Sequence, residues 1–370
     1  MAGKAGSCEM KIQKNTPKIS VLMCVHNGEK FLPNAISSIL SQTYEDFEFV
    51  IVDDGSNGTT KSLLASYKDP RIVLITNLNN VGLTKSLNIG LGYCRGEFIA
   101  RMDGDDISHA KRLEKQAIFL ESRPDIAVVG TQIRHIDDAG KKPQLSHFKK
   151  GTTSISCRWQ SIFDSPITHS SAMCRKAIIV NKLGGYNESF RTSQDYELWV
   201  RVLSSHEIEN LNEALLDFRS HNNSVSKSYT VENIIKVADL FTKNLNSHIG
   251  VTGELSDFGL NWVTVTNPSV LPNLVDYRII LNQFNLIYKL FSDKYFSICS
   301  QNEKNEIKNH AVQKLYLICY AASDHDKGAT LMALMQCLKL KLTLSVLSKG
   351  LLLFLFGHAR LKKINEVLNK

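Results

Sequence analysis

Asp103-Gly104-Asp105-Asp106 places three carboxylates within four residues. Charges that close repel one another unless something positive stands among them. A hard divalent cation, Mg2+ or Mn2+, is the natural occupant, and such ions commonly share their coordination with a substrate phosphate. A solvated acidic turn or a helix cap accounts for the same residues without a ligand. A calcium loop does not. Asp103, Asp105 and Glu114 fit its first, third and twelfth positions, but Ile107 and Ser108 stand where an oxygen ligand and a glycine are required.

Three further clusters carry chemical potential. In Asp53-Asp54-Gly55-Ser56 a carboxylate can accept hydrogen bonds from a base or ribose, and Gly55 permits close backbone approach. The same four residues also make good turn and N-cap chemistry. In Gln194-Asp195-Tyr196-Glu197-Leu198-Trp199, Asp195 is either a plain helix cap or a general base at the mouth of a site. Arg219 to Ser226 offers a cation, the imidazole of His221 and the hydroxyls of Ser224 and Ser226. That loop gains interest only beside an anion and a metal. Neither G-x-x-x-x-G-K-[ST] nor a G-x-G-x-x-G after the first strand is present, which disfavours a P-loop kinase and a dinucleotide dehydrogenase.

The elements that must position these clusters alternate in type. Apolar runs predict strands at Ile19–Val25, Phe49–Val52, Ile72–Ile75, Phe98–Met102 and Ile126–Ile133. Helical spacing falls between them at Phe31–Leu40, Lys61–Tyr67, Leu83–Tyr93 and Arg112–Leu120. Crossovers of that length imply a mostly parallel sheet with helices on both faces. The polar clusters stand at the carboxyl ends of the strands, where such sheets gather ligands. Past Gly140 the pattern loosens, with strands expected at Ser170–Cys174 and Leu215–Arg219 and a helix at Asp195–Leu203. From Thr230 the chain reads as helical.

A chain of 370 residues, 43% hydrophobic and 22% charged, is long enough for a large domain and an appendage. The expected division is a polar tail over 1–16, an α/β catalytic domain over 17–228 and a helical region over 229–370. Eight cysteines without close pairs read as small buried hydrophobes in a reducing compartment. No apolar leader is visible in Met1–Thr16, so a cytoplasmic location is expected.

In this order, Val21–Glu29, Ile51–Ser56, Asn80–Leu91, Asp103–Asp106, Thr168–Lys176, Gln194–Arg201 and Arg219–Ser226 resemble the family 2 glycosyltransferases of the GT-A fold. The bacterial polysaccharide and lipopolysaccharide branch is the most similar. The resemblance implies that His26, Asn27 and Glu29 lie in the first donor loop, that Asp53 contacts the base and that Lys85 lies near the base or diphosphate. It further places Asp103 and Gly104 at the ribose or donor sugar, Asp105 and His221 on the metal, and Arg219, Ser224 and Ser226 at the phosphates. Asp195 matches the catalytic base, and His169 the acceptor side. Two departures stand out. Cys24-Val25-His26-Asn27 replaces the usual Pro-x-Tyr-Asn, and Gln194 stands where Glu often precedes the base. The Gln-x-x-Arg-Trp pattern of processive synthases is missing around Arg158-Trp159, which implies one sugar added per encounter.

The implied reaction is inverting transfer from a nucleotide-diphosphate sugar, with uridine diphosphate the leading guess, to a hydroxyl of a glycan or lipid-linked acceptor. Leu342–Phe356 is apolar but broken by Lys349 and Gly350, short of the ~20 residues of a spanning helix. With basic residues from Lys339 to Lys363 around it, it suits either a helix lying on anionic lipid or one buried in a bundle or dimer interface. A nucleic-acid partner is disfavoured, because this basic excess lacks interleaved aromatics.

Overall fold

The computed structural model describes residues 16–140, 149–220, 231–250, 253–266 and 276–340. Strand β1 (Ile19–Val25) is buried along its whole length. Such a run has no solvent face, so it belongs inside a sheet covered on both sides. Strand β2 (Phe47–Asp53) is buried in the same way. Its Glu48 is accommodated because Ser20 Oγ and the Arg95 backbone N–H each donate to it at 2.7 Å and the Arg95 guanidinium pairs with it at 2.6 Å. Helix α1 (Leu32–Leu40) opens with Pro33 in its first turn, where a missing N–H goes unused. Helix α2 (Gly58–Ser66) is capped by Asn57, whose side chain accepts from the Thr60 N–H. Then follow β3 (Ile72–Thr76), α3 (Leu83–Tyr93) and β4 (Phe98–Asp103).

β2 and β4 flank β1, all parallel, and β3 lies parallel outside β2. The chain thus steps outward from β1 to β3 and returns on the other side of β1 as β4. The crevice at such a reversal, beyond the carboxyl ends of the strands, is where open α/β sheets bind ligands. Register brings the polar clusters level there: Val25 lies beside Asp53, and Cys24 beside Asp103.

The second half contains β5 (Ile107–Ser108), α4 (Arg112–Ser122), β6 (Ile126–Ile136), α5 (Ser154–Ser161), β7 (Met173–Arg175), α6 (Gln194–Leu203) and β8 (Glu207–Arg219). The full order is β3-β2-β1-β4-β7-β6-β8-β5, with β7 and β5 antiparallel to their neighbours. The sheet is mostly parallel and flanked by helices, as expected. Pairing of Ile107 with Asp217 ties the chain just past the acidic turn to the end of β8.

Three local expectations shift. His169–Ser171 form a 3-10 turn and the strand begins only at Met173. Ser171 Oγ there donates to the Thr168 carbonyl at 2.8 Å, a local bond that competes with a strand. Helix α5 was not foreseen; a capping box between Thr153 and Ser156 starts it. β8 begins at Glu207, eight residues before Leu215, because its polar first half reads as loop yet pairs with β6.

Helices α7 (Val231–Ile249), α8 (Phe258–Thr266), α9 (Tyr277–Tyr295), α10 (Gln301–Ala322) and α11 (Lys327–Leu340) make the C-terminal region helical. Their shared core takes in Trp159 and Phe163 from α5 and its exit. Trp159 meets Phe291 edge-on at 5.1 Å, and Trp262 Nε1 donates to the Phe163 carbonyl at 2.7 Å. Burying an aromatic side chain of this size contributes roughly 1.5–3 kcal/mol, so these anchors fix the helices to the sheet half. The described cysteines are unpaired and buried, as the sequence reading holds. The expected boundary near Ser228 and the segment Leu342–Phe356 lie outside the described residues.

Candidate active site

A cleft of about 1370 Å³ opens at the carboxyl ends of β1, β2 and β4 and runs on between α6 and the C-terminal helices. Pockets for one small ligand are typically ~300–1,000 Å³, so there is room for more than one. Its lining includes His26, Asn27, Asp54, Asp103, Gly104, Asp105, His169, Asp195 and Arg219. Segments far apart in sequence therefore share one cavity.

At the acidic turn, one carboxylate oxygen each from Asp103, Asp105 and Asp106 lies within 4.8 Å of the others. Asp103 pairs with Arg101, a cation from the middle of β4. Asp106 is buried, and burial together with the charges of Asp103 and Asp105 pushes its pKa well above the usual carboxylate range. Its oxygens accept from the Arg219 backbone N–H at 2.8 Å and from Ser170 Oγ at 2.5 Å. Asp106 thus holds the turn from beneath, while Asp103, Gly104 and Asp105 face the cleft.

Arg219 serves the same turn. Its Nε donates to the Asp105 carbonyl at 2.8 Å, one terminal nitrogen donates to the Asp137 carbonyl at 2.7 Å, and its guanidinium lies over the Phe31 ring at 4.4 Å. The side chain expected at the donor phosphates is buried as a clamp. Below it Arg112, fully buried, donates to the carbonyls of Arg101 (3.1 Å) and Ser170 (2.5 Å); burial pushes its pKa down to about 10.

The first loop is held differently. Asn27 sits at φ 51. Its Oδ1 accepts from the Asn57 N–H at 2.8 Å, and His26 Nδ1 lies 3.0 Å from the Asp54 carbonyl. Glu29, Asp53 and Lys85 are not among the lining residues. Glu29 accepts from Thr60 Oγ1 at 2.5 Å, Asp53 accepts from the Ser56 N–H at 3.0 Å, and Lys85 projects from the first turn of α3 to solvent. The neighbour Asp54 lines the cleft instead. It accepts from the N–H groups of Val81 and Gly82, each at 2.9 Å, and so fixes the loop that opens α3.

Asp195 lies in the first turn of α6, which Ser193 enters at φ 59. Asn27 and Ser193 are the only non-glycine residues with left-handed backbone among the described residues, and both line the cleft. Conformations of that kind persist where the surroundings over-determine them and cluster at functional sites. Burial raises the Asp195 pKa, against N–H groups of its own helical turn. His169 lies 2.8 Å from the Tyr186 hydroxyl; burial and the charge of Arg101 hold its pKa well below the usual histidine value, so it is neutral at pH 7. His221, Ser224 and Ser226 lie outside the described residues.

The sequence reading missed Arg101, Arg112 and Asp106 as supports. A signal existed for the first: an arginine inside the apolar run Phe98–Met102 must find an acid or carbonyls. It also missed Lys150, Asp164 and Lys314, which line the far end of the cleft.

Residues 20–181 match the family described as glycosyl transferase family 2. The chain is 30% identical to an uncharacterized glycosyltransferase of Haemophilus influenzae over 65% of this chain and 77% of that one. It is 36% identical to the Escherichia coli O-antigen biosynthesis glycosyltransferase WbnJ over 57% of this chain and 82% of that one. Among solved structures, Staphylococcus aureus TarS 1–349 in complex with UDP-GlcNAc superposes with a TM-score of 0.54 at 18% identity, covering 87% of this chain and 89% of that one. The mannosyltransferase PcManGT of Pyrobaculum calidifontis, in complex with GDP-Man and Mn2+, gives 0.51 at 15%, covering 88% of each. These two are likenesses of fold, and the fold is of the GT-A type that the sequence led us to expect. Matched along the strands that carry the cleft and related at 30% identity over most of another member, the chain belongs to glycosyltransferase family 2 and is a glycosyltransferase.

Proposed function

We propose that the chain transfers a sugar from a nucleotide-diphosphate sugar, most simply a uridine diphosphate sugar, to a hydroxyl of a glycan or lipid-linked acceptor in surface polysaccharide synthesis. The observation that carries the reading is the cleft shared by the acidic turn and Asp195. The UDP-GlcNAc and GDP-Man bound by the two solved neighbours support the donor class, and the O-antigen role of the E. coli relative supports the pathway class.

The acidic turn fits a divalent cation. Its oxygens converge within 4.8 Å, and the crowding that raises the Asp106 pKa is what a cation would relieve. Asp105 and His221 would hold it, with Asp103 beside them at the ribose or donor sugar, and the ion would neutralise charge on the departing diphosphate. The chain's own residues do the rest. Asp106, Arg219 and Arg112 keep the turn's carboxylates in place. His26, Asn27 and Gly104 border the donor, Asp53 and Glu29 hold the loops beside it, Lys85 is assigned to the side of the base or diphosphate, and Ser224 and Ser226 are assigned to the phosphates. His169 borders the acceptor as a neutral hydrogen-bonding group.

Asp195 takes the proton of the acceptor hydroxyl as that oxygen attacks C1 from the face opposite the diphosphate. The C1–O bond to phosphate breaks, its electron pair leaves with the diphosphate, and the configuration inverts with no covalent intermediate. A raised pKa makes Asp195 a stronger base and sets the sign of the pH dependence. Transfer falls as pH drops through a pKa above the ordinary aspartate value of ~3.9. A pH–rate profile with no acid limb assignable to Asp195 counts against that role.

Without a Gln-x-x-Arg-Trp pattern, the enzyme adds one sugar per encounter. We place transfer in residues 17–228 and peripheral membrane contact in 339–363. No helix of the described residues is long and apolar enough to cross a membrane. The deciding experiment is a thermal-shift panel of nucleotide sugars with and without Mn2+. Stabilisation by one donor that depends on Mn2+ is expected, and indifference to every nucleotide sugar would sink the proposal.

A further inference from the structure

The cleft continues past Asp195 into an arm walled by Lys150 and Asp164, which bracket α5, and by Lys314 on α10. Phe163, Val237 and Val263 also line the cavity, Phe163 and Val263 as edges of the buried helical core. Asp195 is near enough to Asp103 and to Lys150 to feel the charge of each, so it belongs to both ends of the cavity. An acceptor reaching this base from the side away from the acidic turn must occupy that arm.

Charge narrows what the arm would take. Lys314 pairs with Asp164, and Lys150 lies 3.7 Å from the same carboxylate. Burial works to raise the Asp164 pKa, but the lysines hold it well below the usual range, so it stays ionised. His310, 3.5 Å from Asp164, is pushed down to about 4 by burial and Lys314 and adds no charge at neutral pH. Around Asp164 itself two lysines stand against one carboxylate, with the Asp195 carboxylate farther along the arm at its mouth. Lys150 is fixed in place, since its backbone N–H donates to Gln132 Oε1 at 2.9 Å and Gln132 Nε2 donates back to its carbonyl at 3.0 Å. Among the described residues its Nζ gives one hydrogen bond, 2.5 Å to the Ser165 carbonyl, and an ammonium has three donors.

We infer that this arm is the acceptor subsite and that Lys150 and Lys314 hold a phosphate group carried by the acceptor. The inference deepens the proposed transfer reaction and rests on it for the word acceptor. The apolar side chains beside the lysines favour a phosphate attached to a hydrocarbon chain over one on a soluble sugar phosphate. Lys314 comes from a helix outside the family match at 20–181, so the subsite is assembled partly from the C-terminal helical region. The rival account makes the three charges a tie between α10 and the exit of α5, with no ligand.

The test is isothermal titration of the full chain with decyl phosphate, glycerol 3-phosphate and decyl glucoside. EDTA is present so that no metal at the acidic turn takes the phosphate. Wild type is expected to bind decyl phosphate, and Lys150→Met/Lys314→Met to bind it roughly tenfold more weakly with decyl glucoside unchanged. Asp164→Asn removes the competing carboxylate and is expected to tighten decyl phosphate roughly threefold, which a mere tie would not do. That variant decides if the double substitution fails to fold. Equal affinity of wild type and the double variant, or no phosphate binding by wild type, overturns the inference. Glycerol 3-phosphate binding as tightly as decyl phosphate keeps the lysine site and assigns it to a soluble phosphate. Binding of the nucleotide that most stabilises wild type is measured with Mn2+ on the same proteins. If no nucleotide stabilises wild type while the phosphate results hold, the donor reading fails and the phosphate site stands.

Discussion

At the acidic end of the cleft, polar clusters from separate segments are delivered together by neighbouring parallel strands, whose register sets Asp103 beside Cys24 and Asp53 beside Val25. At the far end, charges meet across long gaps, as Lys314 and Asp164 do at a separation of 150 residues. The first arrangement is rigid because backbone pairing and buried donors set it. The second depends on helices docked through aromatic side chains. On the proposed reading, a site made this way keeps its donor end constant while the acceptor end varies with whatever packs against α5 and α6.

The comparison breaks if the acidic end tolerates change as easily as the helical end. Asp105→Asn is expected to lower turnover by ~10²–10³-fold and to abolish the Mn2+ dependence of nucleotide binding, read by steady-state assay and calorimetry. Arg219→Leu leaves the carbonyls of Asp105 and Asp137 without their buried donor and should cost roughly 2–3 kcal/mol in urea unfolding. Asn57→Ala removes a single local cap and should cost ~1 kcal/mol by the same measurement. Lys314→Met breaks a pair whose carboxylate side chain is 34% exposed, so screening limits the loss to roughly 1 kcal/mol or less. The sign of its pH dependence follows from the depressed Asp164 pKa. The pair's contribution is present above the unfolded aspartate value and is lost as pH falls through the folded one. Melts of wild type and Lys314→Met should therefore converge on acidification; a gap that widens would contradict the pairing.

Legibility in the sequence followed the same division. The strands and helices up to Ile133 could be read from apolar periodicity, and the acidic turn and Asp195 from residue type at strand and helix ends. Position within a cluster could not. Asp54 rather than Asp53 lines the cleft, because Asp53 ends β2 and accepts from the Ser56 N–H while Asp54 stands just past the strand, whose end shows in the sequence only to within a residue or two. The hold of Arg219 on the Asp105 and Asp137 carbonyls was not legible either, since nothing local tells that those carbonyls wait for it. Ser193 gave no hint of its left-handed backbone, which only the packing of α6 imposes. Trp159 was legible as a failed motif and not as the anchor of the helical core. Lys150, Asp164 and Lys314 could not be grouped at all, for their meeting is a product of tertiary packing.

Asp195→Asn tests the central claim most directly, with donor binding and transfer measured on the same protein. The account predicts Mn2+-dependent nucleotide-sugar affinity like that of wild type and transfer reduced by ~10²–10⁴-fold. Turnover near the wild-type rate would contradict it.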